Sequence, residues 1–177
     1  TLIKSISGIR GIINTSLNSN LIAKYISAFS NISPAGKLLL ARDTRNSGAE
    51  YIISTKALLK YLDRESINCD IIPTPTAQFI VVKNNCAGGI VFTASHNPSN
   101  WNGMKFINSN GIFCGANELQ QILEEFRIRN EIPRQTPDFS TARIFSGEEH
   151  MAAILDNPII DVGQICSKQL KIVLDAV

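Results

Sequence analysis

Short apolar runs alternate along the chain with stretches whose apolar positions recur every three or four residues, and this alternation predicts an α/β fold. Residues 37–41 read as a buried strand, bounded by Pro34-Ala35-Gly36 before and a polar loop after. Residues 68–72, closed by Pro73, read as a second strand, 89–93 as a third and 104–108 as a fourth. A run of four apolar residues is also compatible with buried helix, so each strand rests partly on its flanking turn residues. Between them lie helical patterns. Residues 21–29 follow Asn18-Ser19-Asn20, whose side-chain oxygens can cap a helix start. Residues 49–62 place Lys56, Lys60 and Asp63 on one polar stripe and leave a broad apolar face for the sheet. Residues 76–83 begin after a Pro-Thr-Pro turn. In 117–129, Leu119, Ile122, Leu123 and Phe126 share one face, and Asn117 with Gln120 resembles a capping box.

Past Glu131 the pattern changes, as Pro133, Pro137 and a polar mixture lead out of the first domain. Residues 1–135 are therefore expected to form one domain, and 136–177 a connector and the truncated beginning of a second. Ser146 with Glu149 predicts a capped helix that ends before Pro158. Residues 170–177 carry the pattern of a buried strand. The expected architecture is α/β: a mixed sheet flanked by helices on both faces, followed by the first strand of a second α/β domain.

Composition narrows the function classes. With 44% hydrophobic and 18% charged residues the chain is suited to a packed fold rather than to disorder. A formal charge of +2, without a basic run or interleaved aromatics, argues against a nucleic-acid partner. Cys69, Cys86, Cys114 and Cys166 are far apart, and His96 and His150 are the two histidines, so neither a zinc site nor a disulfide framework is expected. No run reaches the ~18 apolar residues of a membrane span. The N-terminus lacks the apolar core of a signal peptide. The chain is read as cytoplasmic, with no membrane partner.

The segment 89–105 is where chemistry is legible. An apolar strand stops at a small, polar loop, and the next strand follows Asn102-Gly103. Pro98 favours an extended Asn97 and Gly103 permits a tight return, so Ser95 and His96 are presented on a rigid support. Thr93-Ala94-Ser95-His96-Asn97-Pro98 resembles the phosphoserine loop of the α-D-phosphohexomutases, the phosphoglucomutase, phosphomannomutase and phosphoglucosamine mutase group. Ser7-Gly8-Ile9-Arg10-Gly11 resembles that family's N-terminal arginine loop. Residues 41–48 (Ala41-Arg42-Asp43-Thr44-Arg45-Asn46-Ser47-Gly48) are similar to its RDxRxSG segment. Pro73-Thr74-Pro75-Thr76 is similar to its PTP turn and Asn102-Gly103-Met104-Lys105 to its NGxK element. Four of these are weak alone; their order and spacing are specific, and they span domain one. Many relatives carry an acidic residue where this chain has Ser7-Gly8.

The resemblance implies that Ser95 carries a transferable phosphoryl group, with His96, Lys105 and Arg10 catalytic and Arg10, Asn97 and Lys105 binding substrate. It implies interconversion of hexose 1-phosphate and hexose 6-phosphate through a hexose 1,6-bisphosphate. Glucose or mannose phosphate is the first expectation and glucosamine phosphate the second. It also implies Mg²⁺ bound to an oxygen of phosphorylated Ser95 and to three aspartates of an Asp-Gly-Asp loop, and no Asp-Gly-Asp occurs in this sequence. The piece 1–177 alone is expected to be inactive. The rival of a different class is a sugar-phosphate binding module that kept the fold without turnover. A serine hydrolase is disfavoured, since adjacent Ser-His side chains rarely face each other and no G-x-S-x-G elbow is present. Arg42 and Asp43 are expected to pair and cap their loop. His150 is expected to be solvated or capping. Trp101 is left open between loop packing and a sugar platform.

Overall fold

The computed structural model describes residues 2–5, 8–130, 132, 135–140 and 147–175. Its centre is a six-stranded mixed sheet. Strand β1 (Leu2–Ser5) pairs antiparallel with β2 (Gly8–Ile12), and helix α1 (Ser19–Ile32) follows. Next come β3 (Leu38–Arg42), α2 (Asn46–Tyr61), β4 (Ser66–Ile71), α3 (Thr74–Lys83), β5 (Gly88–Phe92), β6 (Trp101–Asn108) and α4 (Ala116–Ile128). The order across the sheet is β1-β2-β6-β5-β3-β4, with β3 parallel to β4 and β5, and β6 antiparallel to β5 and β2.

Alternation along the central strands feeds two cores. Leu38, Leu40, Ile90, Phe92, Met104 and Phe106 join the larger cluster, under α1, α2 and α4. Leu39, Ala41, Val91 and Ile107 face the other way and meet Ala77, Ile80 and Val81 of α3. The sheet is thus covered on both faces, which is why β3 and β5 read as continuous apolar runs rather than alternating ones. Each fully buried Leu, Ile or Phe contributes roughly 1.5–3 kcal/mol. Together they make the sheet a stiff base for the loop between β5 and β6.

Several expectations need correction. The first two strands were not expected, because residues 2–5 and 8–12 carry no apolar run. Their pairing comes from the neighbour, with Arg10 opposite Gly103 of β6. Arg10 therefore sits within a strand, not a loop. Lys56 does not join a solvated stripe. It is 8% exposed, and its ammonium donates to Ser140 O at 2.7 Å and to Ser140 Oγ, with Asp138 Oδ1 at 3.5 Å. A lysine on a helix surface can be covered by chain that periodicity alone does not place, and residues 138–140 cover this one. The start of α4 is capped by Glu118, whose Oε2 accepts from Gly115 N at 2.7 Å, rather than by Asn117 and Gln120. At α1 the Asn18 cap forms as expected, accepting from Leu21 N at 2.9 Å.

The chain divides into two compact units, Thr1–Phe145 and Ser146–Val177, a later break than 135. Residues 138–140 are held on the first unit by Lys56. The second unit holds α5 (Glu148–Leu155) and α6 (Val162–Ser167). Helix α5 ends before Pro158 as expected; the proposed cap, Ser146, lies outside the described residues. Residues 170–175 form no strand, and Val173 is 96% exposed. An apolar, β-branched run becomes a strand only where another strand accepts its hydrogen bonds, and none of the described residues does so here. No helix among the described residues is long and apolar enough to cross a membrane.

Candidate active site

The last rung of the β5–β6 ladder is Thr93 N donating to Gly103 O at 3.1 Å. Beyond it the chain leaves the sheet as two successive turns, closed by Asn97 N to Ala94 O at 3.1 Å and by Trp101 N to Pro98 O at 2.9 Å. Ala94 is buried and anchors the loop, whereas Ser95 and His96 are exposed. Ser95 has φ +55°, a left-handed conformation that costs a side-chain-bearing residue about 1–2 kcal/mol. Local bonds offset that cost. Thr93 Oγ1 accepts from Ser95 N at 3.0 Å, fixing the backbone from which the serine projects. Ser95 Oγ lies 3.4 Å from His96 Nδ1, at the outer limit of a hydrogen bond.

Arg10 enters from the neighbouring strand. Its Nη1 donates to Asn97 Oδ1 at 3.3 Å. Gly103 makes room for it: a Cβ there would lie 2.7 Å from Arg10 Cγ and 2.4 Å from Ile9 O. Asn102 is fully buried; its Nδ2 donates to Ser47 Oγ at 2.8 Å and its Oδ1 accepts from Gly103 N at 2.7 Å, tying β6 to the start of α2. The NG pair thus has two separate jobs, a buried tie and a clearance.

The expected Arg42–Asp43 pair does not form through side chains. Arg42 Nε pairs with Asp70 Oδ1 at 2.5 Å, and only its Nη1 reaches Asp43, at the backbone oxygen, 3.2 Å. Asp43 instead holds Arg45, accepting from Arg45 Nε at 3.0 Å and from Arg45 N at 3.0 Å. Arg45 then donates to three carbonyls of the serine loop: Pro98 O at 2.8 Å, Ser95 O at 2.8 Å and Asn97 O at 2.7 Å. These contacts join residues about fifty positions apart in sequence.

The structure brings Ser95, His96, Asn97 and Arg10 together. Lys105 lies opposite Val91 in β6, with its ammonium 5.0 Å from the Phe113 ring centroid, and no described hydrogen bond links it to the loop. It shares a sheet face with Gly103, two residues back, and therefore with Arg10. Trp101 opens β6 opposite Ile12 and is half-buried. Among the described residues no three His, Cys, Asp or Glu side chains cluster to hold a metal. The residues present do not by themselves fit the Mg²⁺ that the resemblance implies, so no step is derived through it.

The sequence pattern of phosphoglucomutase/phosphomannomutase, alpha/beta/alpha domain I, matches residues 2–132. The chain belongs to this family. A phosphoglucosamine mutase from Clostridium botulinum (strain Hall) is 34% identical over 145 residues, covering 80% of this chain and 30% of that protein. One from Prochlorococcus marinus is 32% identical over 138 residues, covering 76% and 31%. The chain thus spans about a third of the length of the curated relatives it matches. A protein assigned as a phosphomannomutase from Thermus thermophilus superposes with TM-score 0.76 at 21% identity, covering 92% of this chain and 37% of that one. Parafusin, a phosphoglucomutase from Paramecium, gives 0.65 at 24% identity, covering 82% and 27%. At these identities the solved structures show the shared fold. The mixed sheet with helices on both faces is that of the family's first domain.

Sequence reasoning named Ser95, His96, Asn97, Arg10 and Lys105 and missed the contacts of Arg45, Thr93 and Ser47. Arg45 and Ser47 lie inside the quoted RDxRxSG segment. The signal was present there but was attached to Arg42 and Asp43.

Proposed function

We propose that the protein of which this chain is the first domain is a phosphohexomutase, with Ser95 as its phosphoryl carrier. The observation that carries this reading is the presentation of Ser95: exposed, at the end of a buried strand, with its backbone held in a left-handed conformation.

In the forward half-reaction a hexose phosphate hydroxyl attacks the phosphorus on Ser95 Oγ. The new oxygen–phosphorus bond forms as the Oγ–phosphorus bond breaks. The hydroxyl proton passes to a base and the serine oxygen regains one. His96 is placed beside Oγ for that exchange. The hexose 1,6-bisphosphate then reverses, and its other phosphate moves to Ser95 with the proton travelling back. Such transfer depends mainly on positioning and charge stabilisation. Arg10 offers a planar fork to the phosphate, Asn97 orients that fork, and Lys105 supplies a charge on a flexible stem. The Mg²⁺ requirement is part of the same proposal and rests on the resemblance, as does a cytoplasmic setting.

Among hexoses, the relatives at 32–34% identity favour glucosamine phosphate. The glucose or mannose preference has behind it solved structures at 21–24% identity, which speak for fold. The test is turnover of the full-length protein with glucosamine, glucose and mannose 1-phosphates, in the presence of Mg²⁺ and a hexose 1,6-bisphosphate. Isomerisation of glucosamine phosphate at the highest kcat/KM is expected. Binding of all three without isomerisation would favour the non-catalytic module.

A further inference from the structure

We propose that Arg45 is the positioning residue of the serine loop, a cation that fixes the aim of Ser95 without touching substrate. This rests on the reading of Ser95 as the phosphoryl carrier. The guanidinium is held first: Asp43 takes its Nε–H and also the Arg45 backbone N–H, so both ends of the side chain are tied to one carboxylate. Asp43 is itself fixed to the sheet, donating its backbone N–H to Phe92 O at 3.0 Å at the end of β5. The remaining donors converge on Ser95 O, Asn97 O and Pro98 O within 2.7–2.8 Å. Three carbonyls of a four-residue stretch thus turn toward one planar cation.

Two consequences follow. The carbonyl of Ser95 is anchored on one side by Arg45 and its N–H on the other by Thr93, so the serine's left-handed backbone is held at both peptide groups. The Cα–Cβ bond then has one direction, and only rotation about χ1 is left to place Oγ. Moreover, the loop's carbonyl oxygens are drawn to a cation instead of facing a group that would carry nearly two negative charges once Ser95 is phosphorylated. A lysine retains the charge but lacks the fork that serves three acceptors at once.

A general stabilising role makes a different forecast. The three carbonyls belong to exposed or half-buried residues that water can satisfy, so losing Arg45 should loosen the loop and spare the fold. In the full-length protein, Arg45→Ala and Arg45→Lys are compared with wild type by thermal melting, by amide hydrogen exchange over residues 94–100, and by the rate at which Ser95 takes phosphate from a hexose 1,6-bisphosphate. Expected are melting temperatures close to wild type and faster exchange confined to the loop. Phosphorylation should slow by about 100-fold, the scale of a 1 Å misplacement. The loss should fall in kcat with KM little changed, and free guanidinium at sub-denaturing concentration should partly restore Arg45→Ala but not Arg45→Lys. Unchanged loop exchange, or phosphorylation within a few-fold of wild type in both variants, would overturn the proposal. Should Arg45→Ala fail to fold, Arg45→Lys carries the same exchange and rate comparison. Faster loop exchange in the variants alongside a wild type that takes no phosphate would instead refute the carrier reading and leave the clamp standing.

Discussion

Arg10 and Lys105 both stand on strands rather than loops, and that changes what their removal should do. Arg10 lies opposite Gly103 in β2, and Lys105 follows Gly103 by two residues in β6, so both project from one face of the sheet. Neither side chain belongs to either apolar cluster. Arg10→Ala and Lys105→Ala should therefore each slow turnover of the full-length protein by about 10²–10³-fold, ~2.7–4 kcal/mol of transition-state stabilisation, with the melting temperature nearly unchanged. Steady-state kinetics beside a melt checks this, and wild-type kcat in either variant would make that residue a bystander. Ser95 and its neighbours were legible because their signal is local: six consecutive residues, with proline and a nearby glycine shaping the loop. The hold of Arg45 on the loop was not, because the partners it takes there are main-chain carbonyls, which any residue type supplies. Lys56 misled for a related reason, since periodicity describes one helix and not what later chain lies over it.

At the scale of elements, β3, β4 and β5 were legible to within a residue or two from their own runs, β6 begins three residues earlier than its apolar run because Trp101, Asn102 and Gly103 pair with β2, and the strands that borrow their pairing were not legible. β3 and β5 are buried on both faces and announce themselves. β2 contains Gly8 and Gly11 among its five residues, and exists because β1 and β6 flank it. Residues 170–175 make the converse case, apolar and β-branched yet without a partner strand among the described residues. The β2–β6 pairing also makes Gly103 a sensitive position. A methyl group there would meet Ile9 O at 2.4 Å, Arg10 Cγ at 2.7 Å and Thr93 O at 3.0 Å. Two of those atoms are backbone and cannot swing aside. Gly103→Ala should cost about 1–3 kcal/mol of stability, the range for overpacking, and should lower kcat as well by displacing Arg10 from Asn97. A denaturant titration with parallel kinetics tests both halves; wild-type stability would show that β2 and β6 can part more easily than this packing implies.

Across the whole molecule, both apolar clusters lie within the first unit, and two buried acids make its stability fall at alkaline pH. Burial, with Glu118 nearby, pushes the Cys114 thiol from 9.0 up to about 12. Burial, with Glu50 adding, pushes the Tyr51 hydroxyl from 10.0 up to about 12. Below about pH 8 both are protonated in the folded and unfolded chain, and neither makes stability pH-dependent. As pH rises from 9 toward 12 the unfolded chain gives up these protons first, so stability should fall through that window. Cys114→Ala should flatten the early part of the fall, and melting temperatures between pH 8 and 11 report it; an unaltered slope would show that the thiol is not buried as described. The account as a whole stands on Ser95. The most direct measurement is to incubate the full-length protein with a hexose 1,6-bisphosphate and map the phosphate by mass spectrometry. Phosphate on Ser95, absent from Ser95→Ala, is the expected result. Phosphate on Ser99 or Ser109 with Ser95 bare would contradict it.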